Sequence, residues 1–319
     1  MIDLGLPADG TGTMVTVGTF DGFHLGHRDV VSRLVSAASA ARLPSVLLTF
    51  EPHPLAVVRP EAAPPLLTPG AERLEALASA GLDRVVVLPF TRALASLTAE
   101  RFVNEVLLER LGMHRLMIGH DHGFGRGRAG DVETLRSIGQ SRGFEVEVVP
   151  PVADHDGQPI SSTIVRRAVT AGDLETAARL LGSPYGSVGQ VIHGQQRGRS
   201  LGFRTLNVSL PDSRKLLPPL GVYAVRVWTP DGLFGGMLNL GARPTFGISE
   251  VGLEAHLFDA DGDWYGATVR LEFLARLRAV RRFDSPAELR AQLTMDEQEA
   301  RRALTRFDQS GNLSSSALF

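Results

Sequence analysis

His24 and His27 stand three residues apart in the string Thr16-Val-Gly-Thr-Phe-Asp-Gly-Phe-His-Leu-Gly-His27, a spacing that lets both imidazoles donate to one anionic group. The string lies where a short apolar run, Met14 to Val17, gives way to a helical pattern with Val30, Val31, Leu34, Val35 and Ala38 on one face. A strand that passes through a glycine-rich turn into a helix N-terminus offers a phosphate both free backbone N–H groups and the positive end of the helix dipole. Gly18, Phe20, Asp21, Gly22 and Gly26 make up that turn, and Gly22 and Gly26 leave room for a phosphate chain to approach. A lone His-x-x-His or Gly-rich turn is weak, because structural turns of this kind are common; the whole string is far more specific.

Further chemistry-bearing stretches follow in the first half. Thr49-Phe-Glu-Pro-His-Pro54 holds His53 between two prolines that stiffen its loop. Gly119-His-Asp-His-Gly-Phe-Gly-Arg-Gly-Arg-Ala-Gly130 is a basic, Gly-rich loop suited to wrapping polyphosphate, and it contains Asp121 and Phe124. Ile160-Ser-Ser-Thr-Ile-Val-Arg166 sets Ser162 and Thr163 at the expected start of a helix, with Arg166 one turn on as a planar fork for an anion. Ser or Thr there is also an ordinary cap, so Arg166 is the more telling residue. His24, His27, His53, His120 and His122 could be imagined as metal ligands, but the carboxylates that usually complete such a site are poorly arranged, and histidines beside Gly-rich turns suit phosphate better.

In the second half, Gly194-Gln-Gln-Arg-Gly-Arg-Ser-Leu-Gly202 is another basic Gly-rich loop, carrying Arg199, and Phe203-Arg-Thr-Leu-Asn207 follows it. Thr205 and Asn207 alternate on an expected strand, so their hydroxyl and amide oxygens share a face and could ligate magnesium that carries ATP. Glu254 is a carboxylate within an apolar strand, placed to take a proton from a substrate hydroxyl during phosphoryl transfer. Each has a plainer alternative: Gly-rich loops join strands, Thr favours strands, and a strand Glu usually faces water.

The elements that must position these residues read as two textures. Strands are expected at Met14–Val17, Ser45–Thr49, Arg84–Leu88, Leu116–Ile118 and Val146–Val149. Helices lie between them, one from Pro69 through Leu77 and another capped by Thr98, with Phe102, Val103, Val106 and Leu107 buried. That alternation argues for a doubly wound parallel sheet with its ligand outside the carboxyl ends of the strands, where these loops fall. After a helix at Leu174–Leu181, short β segments take over at Val188–His193, Gly221–Val227, Leu233–Leu240, Leu253–Leu257 and Thr268–Phe273. They argue for a small antiparallel barrel or sandwich, closed by a helix from Pro286 with Leu289, Leu293 and Ala300 on one face.

Composition sets the bounds. The 319 residues suffice for two domains, each with its own core, and 43% hydrophobic with 21% charged residues is ordinary for a globular protein. A net charge of −2 gives no general attraction to nucleic acid or an anionic membrane. With no cysteine, disulfides, thiolate zinc sites and a cysteine nucleophile are excluded. No basic, apolar leader or membrane-spanning stretch is evident, so cytoplasm is the expected compartment.

The first-half motifs, in this order, resemble the adenylyltransferase module of the bacterial bifunctional riboflavin kinase/FAD synthetase family. The second-half strings, with Pro219-Leu-Gly-Val-Tyr223, Asn239-Leu-Gly-Ala-Arg-Pro-Thr-Phe246 and Arg282-Phe-Asp-Ser285, resemble its riboflavin kinase domain. The resemblance implies a Rossmann-like α/β nucleotidyltransferase domain over 1–183, an antiparallel β-barrel kinase domain with a terminal helix over 184–308, and a flexible tail over 309–319. It implies phosphorylation of riboflavin to FMN, then adenylylation of FMN to FAD, with Mg2+ accompanying ATP. The partners are these small molecules rather than nucleic acid or membrane, and the chain is expected as a monomer or weak homo-oligomer.

Residue by residue, the resemblance places ATP of the adenylyltransferase on Gly18, Phe20, Asp21, Gly22, His24, Gly26, His27, Asp121, Ser162, Thr163 and Arg166, and flavin or its phosphate on His53 and Phe124. It places ATP of the kinase on Gly194, Arg199, Gly202, Thr205 and Asn207, with the metal on Thr205 and Asn207. Flavin falls to Tyr223, Asn239 and Arg243, and the base is Glu254. Two departures stand out: Arg204 where the family usually has proline, and Val280 where many relatives carry a carboxylate. An adenylyltransferase with a decayed kinase half, or a flavin-nucleotide sensor that only binds, are the alternatives; retention of Glu254, Thr205, Asn207, His24 and His27 argues against both.

Overall fold

The computed structural model describes residues 12–120, 123, 125, 130–194, 203–245 and 248–310, without the side chains of 243–245, 248–250 and 310. By compactness the chain divides into two units. One comprises the residues up to Leu66 together with Arg73–Ser161; the other comprises Leu67–Glu72 together with the residues from Ser162 onward.

The first unit alternates strand and helix: β1 (Thr13–Val17), α1 (Leu25–Ala41), β2 (Ser45–Glu51), α2 (Pro54–Val58), a 3-10 turn (Pro60–Ala62), α3 (Gly70–Ala78) and β3 (Arg84–Pro89). It continues through α4 (Arg92–Ala95), α5 (Ala99–Phe102), a π turn (Val103–Leu108), β4 (Met113–Gly119), α6 (Val132–Arg142) and β5 (Glu145–Val149). All four strand pairings are parallel and the order is β3-β2-β1-β4-β5. The order reverses between β1 and β4, so the loops leaving their carboxyl ends flank the crevice where such sheets take ligands.

Strand alternation decides what each face buries. Val15, Val17, Val46, Leu48, Leu116 and Ile118 point to one face and pack with Phe102, Val103, Val106, Leu107, Leu135 and Ile138. Met14 and Met117 point to the other and pack with Val30, Leu34 and Ala38 of α1. Each fully buried Leu or Val side chain contributes about 1.5–3 kcal/mol. The expected helix after Thr98 begins as read, its hydroxyl accepting from the Arg101 N–H at 3.2 Å, but it widens into the π turn after Phe102. Asp131 caps α6 and Gly143, at φ 78°, ends it.

The second unit holds α7 (Ser162–Ala171), α8 (Leu174–Leu181) and six strands: β6 (Tyr185–Ile192), β7 (Leu206–Ser209), β8 (Gly221–Thr229), β9 (Gly232–Thr245), β10 (Ile248–Leu257) and β11 (Thr268–Arg278). They form a closed antiparallel barrel in the order β10-β7-β6-β11-β8-β9, closure coming from β6 pairing with β11. Its interior is filled by Tyr223, Val225, Val227, Leu238, Leu240, Leu253, Ala255, Leu271 and Phe273, each at most 1% exposed. The terminal helix α9 (Pro286–Ser310) lays Leu293, Ala300, Ala303 and Leu304 on the outer wall against Ala224, Met237 and Phe258.

Candidate functional site

The strand-to-helix turn after β1 is built as the sequence predicts. His24 caps α1: its Nδ1 accepts from the His27 N–H at 3.4 Å, and the ring is 5% exposed. The two imidazoles stack with centroids 3.7 Å apart at 19°, so both edges present together at the N-terminus of a 17-residue helix. Gly22 sits at φ 84°, where only glycine is unstrained. Phe20, at φ 50°, is not glycine; such backbone costs about 1–3 kcal/mol and persists only where its surroundings enforce it. Its conformation turns the ring onto His27, with centroids 5.1 Å apart. A side chain at Gly18 would press on the same Phe20 ring at 3.0 Å, and Asp21 is buried at 1% exposure.

The loop after β2 brings His53 into the same unit, and the stretch after it starts as a short helix. His53 caps α2, its Nδ1 accepting from the Leu55 N–H at 3.2 Å, and is 8% exposed. His120 is exposed at the end of β4. Asp121 and Phe124 lie outside the described residues. Ser162 and Arg166 occupy the first turns of α7, one turn apart on one face, with Thr163 exposed beside them. Among the described residues, the cluster of three groups within metal-ligand reach is Asp154, His155 and Asp156 in an exposed turn, not the motif histidines.

Two arginines that no motif marks pack against these motif loops. Arg28 is half-buried with its guanidinium 5.1 Å over the Phe23 ring, and burial lowers its pKa. Arg73, on α3, is 3% exposed. Its guanidinium donates to the carbonyl of Thr19 at 3.1 Å, the carbonyl of Phe50 at 2.9 Å and the Glu51 carboxylate at 2.8 Å. The sequence signal for it is only that Arg73 sits four residues before the buried Leu77, on the buried side of its helix.

In the barrel, register gathers the kinase-type residues. Glu254 of β10 lies opposite Asn207 of β7 on one side and Asn239 of β9 on the other. Directly opposed residues share a face, so the three side chains form a row. Leu253 and Ala255 point into the barrel, which puts the row on the outer wall, with Asn207 buried, Glu254 half-buried and Asn239 exposed. Gly194 sits against Asn207: a Cβ there would overlap the amide. Thr205 is half-buried and precedes β7 rather than lying in it.

The peptide before Thr205 is fixed from β10. His256 Nδ1–H donates to the Arg204 carbonyl at 2.7 Å, and its ring meets Phe203 edge-on at 5.1 Å. Phe203 is 9% exposed and anchors in the cluster under α9. The stiffness that proline would supply at position 204 is thus supplied by two neighbours, while the Arg204 side chain is itself exposed, 3.8 Å from Asp261. Tyr223 lies inside the barrel, 0% exposed, edge-on to Phe273 at 5.4 Å, with its hydroxyl donating to the Pro219 carbonyl; burial pushes the phenol up. Arg243 belongs to β9, but its side chain is outside the described set, as are Arg199 and Gly202 altogether. Val280 follows β11 and is 49% exposed.

The chain matches two family models, FAD synthetase over residues 6–164 and riboflavin kinase over residues 181–304. Among curated relatives, a bifunctional riboflavin kinase/FMN adenylyltransferase of Pseudomonas fluorescens is 39% identical over 291 residues, 91% of this chain and 92% of that one. Its namesake from Bacillus subtilis is 33% identical over 292 residues, 90% of this chain and 91% of the relative. A solved structure from Streptococcus pneumoniae, titled a macrolide-efflux protein, superposes with a TM-score of 0.84 at 35% identity, covering 94% of this chain and 96% of that one. No helix among the described residues is long and apolar enough to cross a membrane.

Proposed function

The chain belongs to the bifunctional riboflavin kinase/FMN adenylyltransferase family, and on that premise we propose how its own residues divide the chemistry. The enzyme phosphorylates riboflavin to FMN and adenylylates FMN to FAD, with ATP as the donor in both steps. The observation that carries the assignment of residues is the row Asn207–Glu254–Asn239, which joins a candidate base, a candidate metal ligand and a polar substrate contact across three strands.

In the kinase half, 184–308, Glu254 accepts the proton of the ribityl hydroxyl as its oxygen attacks the γ-phosphorus of ATP and ADP leaves. Asn207 and Thr205 offer the oxygen donors that suit a small hard cation, and the missing side chain at Gly194 is what lets the Asn207 amide keep its place beside that loop. They would hold Mg2+ with ATP, and that ion would neutralise phosphate charge. Gly194, Arg199 and Gly202 line the nucleotide. Asn239 and Arg243 contact the flavin, and Tyr223 supports that wall from the barrel interior.

In the adenylyltransferase half, 1–183, a phosphate oxygen of FMN attacks the α-phosphorus of ATP and pyrophosphate leaves. The nucleophile is already an anion, so no strong base is needed, and catalysis is positioning and charge neutralisation. His24, His27 and Arg166 meet the developing charge. Gly18, Phe20, Asp21, Gly22, Gly26, Asp121, Ser162 and Thr163 line the nucleotide, and His53 and Phe124 face FMN. The compartment proposed is the cytoplasm, and the assembly a monomer or weak homo-oligomer. The pneumococcal structure's title names macrolide efflux, whereas both family models and the curated relatives name flavin nucleotide synthesis, and the proposal follows the latter.

The test is a chromatographic time course of the purified chain with riboflavin, ATP and Mg2+. FMN appearing first and FAD afterwards supports the reading. FAD formed only from added FMN would mean that the kinase half has lost its chemistry.

A further inference from the structure

We propose that Arg73 is a positioning residue for FAD formation, a buried guanidinium that clamps the loop after β1 to the end of β2. The inference rests on the reading of His24, His27 and His53 as the adenylyl-transfer site. A buried arginine is held by the partners its donors find, and both terminal nitrogens of Arg73 donate to the two motif loops. The Thr19 carbonyl belongs to the first, and the Phe50 carbonyl and Glu51 carboxylate belong to the second. The Thr49 hydroxyl donates to the same Thr19 carbonyl at 3.2 Å, and the Gly18 N–H donates to Leu48 at 3.0 Å.

The consequence is transmitted by contact. Thr19 carries the peptide that enters Phe20, the residue held at φ 50°. That backbone directs the Phe20 ring onto His27, and His27 stacks on His24. At the other end, Glu51 lies two residues before His53. One planar fork therefore fixes, at once, the peptide that aims the histidine pair and the segment that carries the third histidine. A site that works by preorganisation loses rate when such a support is removed, even though the support touches no reacting atom.

The experiment measures both activities on the full chain, with FMN formation from riboflavin as an internal control. Arg73→Met is expected to lower kcat/KM for FAD formation from FMN and ATP about a hundredfold, with FMN formation within about twofold of wild type. The loss should appear in KM for ATP as well as in kcat, because every folded molecule carries a loosened site; a purely structural role would lower only the active fraction and leave KM unchanged. Arg73→Lys should recover part of the loss. Thr49→Val removes the second bond to the Thr19 carbonyl while leaving Arg73 in place, and should raise KM for ATP several-fold even if Arg73→Met does not fold. Wild-type KM values in the folded variants, or equal loss of both activities, overturn the role of Arg73 alone. A wild-type chain that forms no FAD overturns the underlying reading and this role with it.

Discussion

Glu254 stands directly across from Asn207 in the barrel, so a carboxylate and an amide that are 47 positions apart in the chain share one patch of the outer wall. A proton acceptor beside an oxygen donor for a metal is what transfer of a phosphoryl group to a hydroxyl requires.

Glu254→Gln should lower FMN formation by about 10²–10⁴-fold while FAD formation from added FMN stays at the wild-type rate. His27→Ala should do the reverse. Rates of both steps in both variants check this, and parallel loss in either variant would break the two-site assignment.

Gly194→Ala puts a methyl group where the Asn207 amide already lies, so the amide must swing away from its place in the row. KM for ATP in FMN formation should rise on the order of tenfold, with FAD formation unaffected. An unchanged KM would show that Asn207 does not meet the nucleotide.

His256→Ala should lower FMN formation on the order of tenfold, because it frees the Arg204 carbonyl and with it Thr205. Introducing Arg204→Pro into that background should recover part of the rate by stiffening the same peptide from within. In the wild-type background Arg204→Pro should leave the rate unchanged or raise it. Absence of any recovery in the double variant would show that His256 acts otherwise.

Glu272 gives a stability prediction. It is 4% exposed on β11, and burial pushes its carboxyl up, opposed by Arg270, the Trp228 indole and Arg226. The folded state therefore binds the proton more tightly than the unfolded chain. This contribution to stability is fully present below the ordinary glutamate range and is lost as pH rises through the raised folded-state value. Glu272→Gln removes the ionisation and should raise Tm by about 2–4 °C at neutral pH, a gain that shrinks towards zero in acid. Melting curves at both pH values decide it; a gain that grows on acidification contradicts the assignment.

The sheet was legible as apolar runs alternating with helical stripes, and the barrel as short strands between Gly and Pro turns. Val15, Val46 and Leu116 lie in short apolar runs buried on both faces, and Val30, Val31, Leu34 and Ala38 form a helical stripe. Between its cap at Asp131 and its stop at Gly143, α6 carries few apolar residues and so shows little pattern. Thr205 and Asn207 were expected on one strand, yet β7 begins at Leu206, a difference that depends on pairing rather than on local preference. For Arg73 the sequence shows only a place on the buried side of its helix, not its partners. Two of its three acceptors are carbonyls 54 and 23 residues away, the same atom in every residue, and the third, the Glu51 carboxylate, lies 22 positions off, beyond any helical spacing.

Closure of the barrel has a consequence for synthesis. β6 must find β11, and the partner of Tyr185 is Phe273. While a ribosome makes the chain, the parallel sheet has all its strands once Val149 has emerged, but β6 waits for its partner until the last strand is out. Once α7 and α8 have followed, the nascent chain passes through a stage in which the adenylylating half is complete and the phosphorylating half has an open seam. A message truncated within that interval would yield a polypeptide able to use FMN but unable to make it.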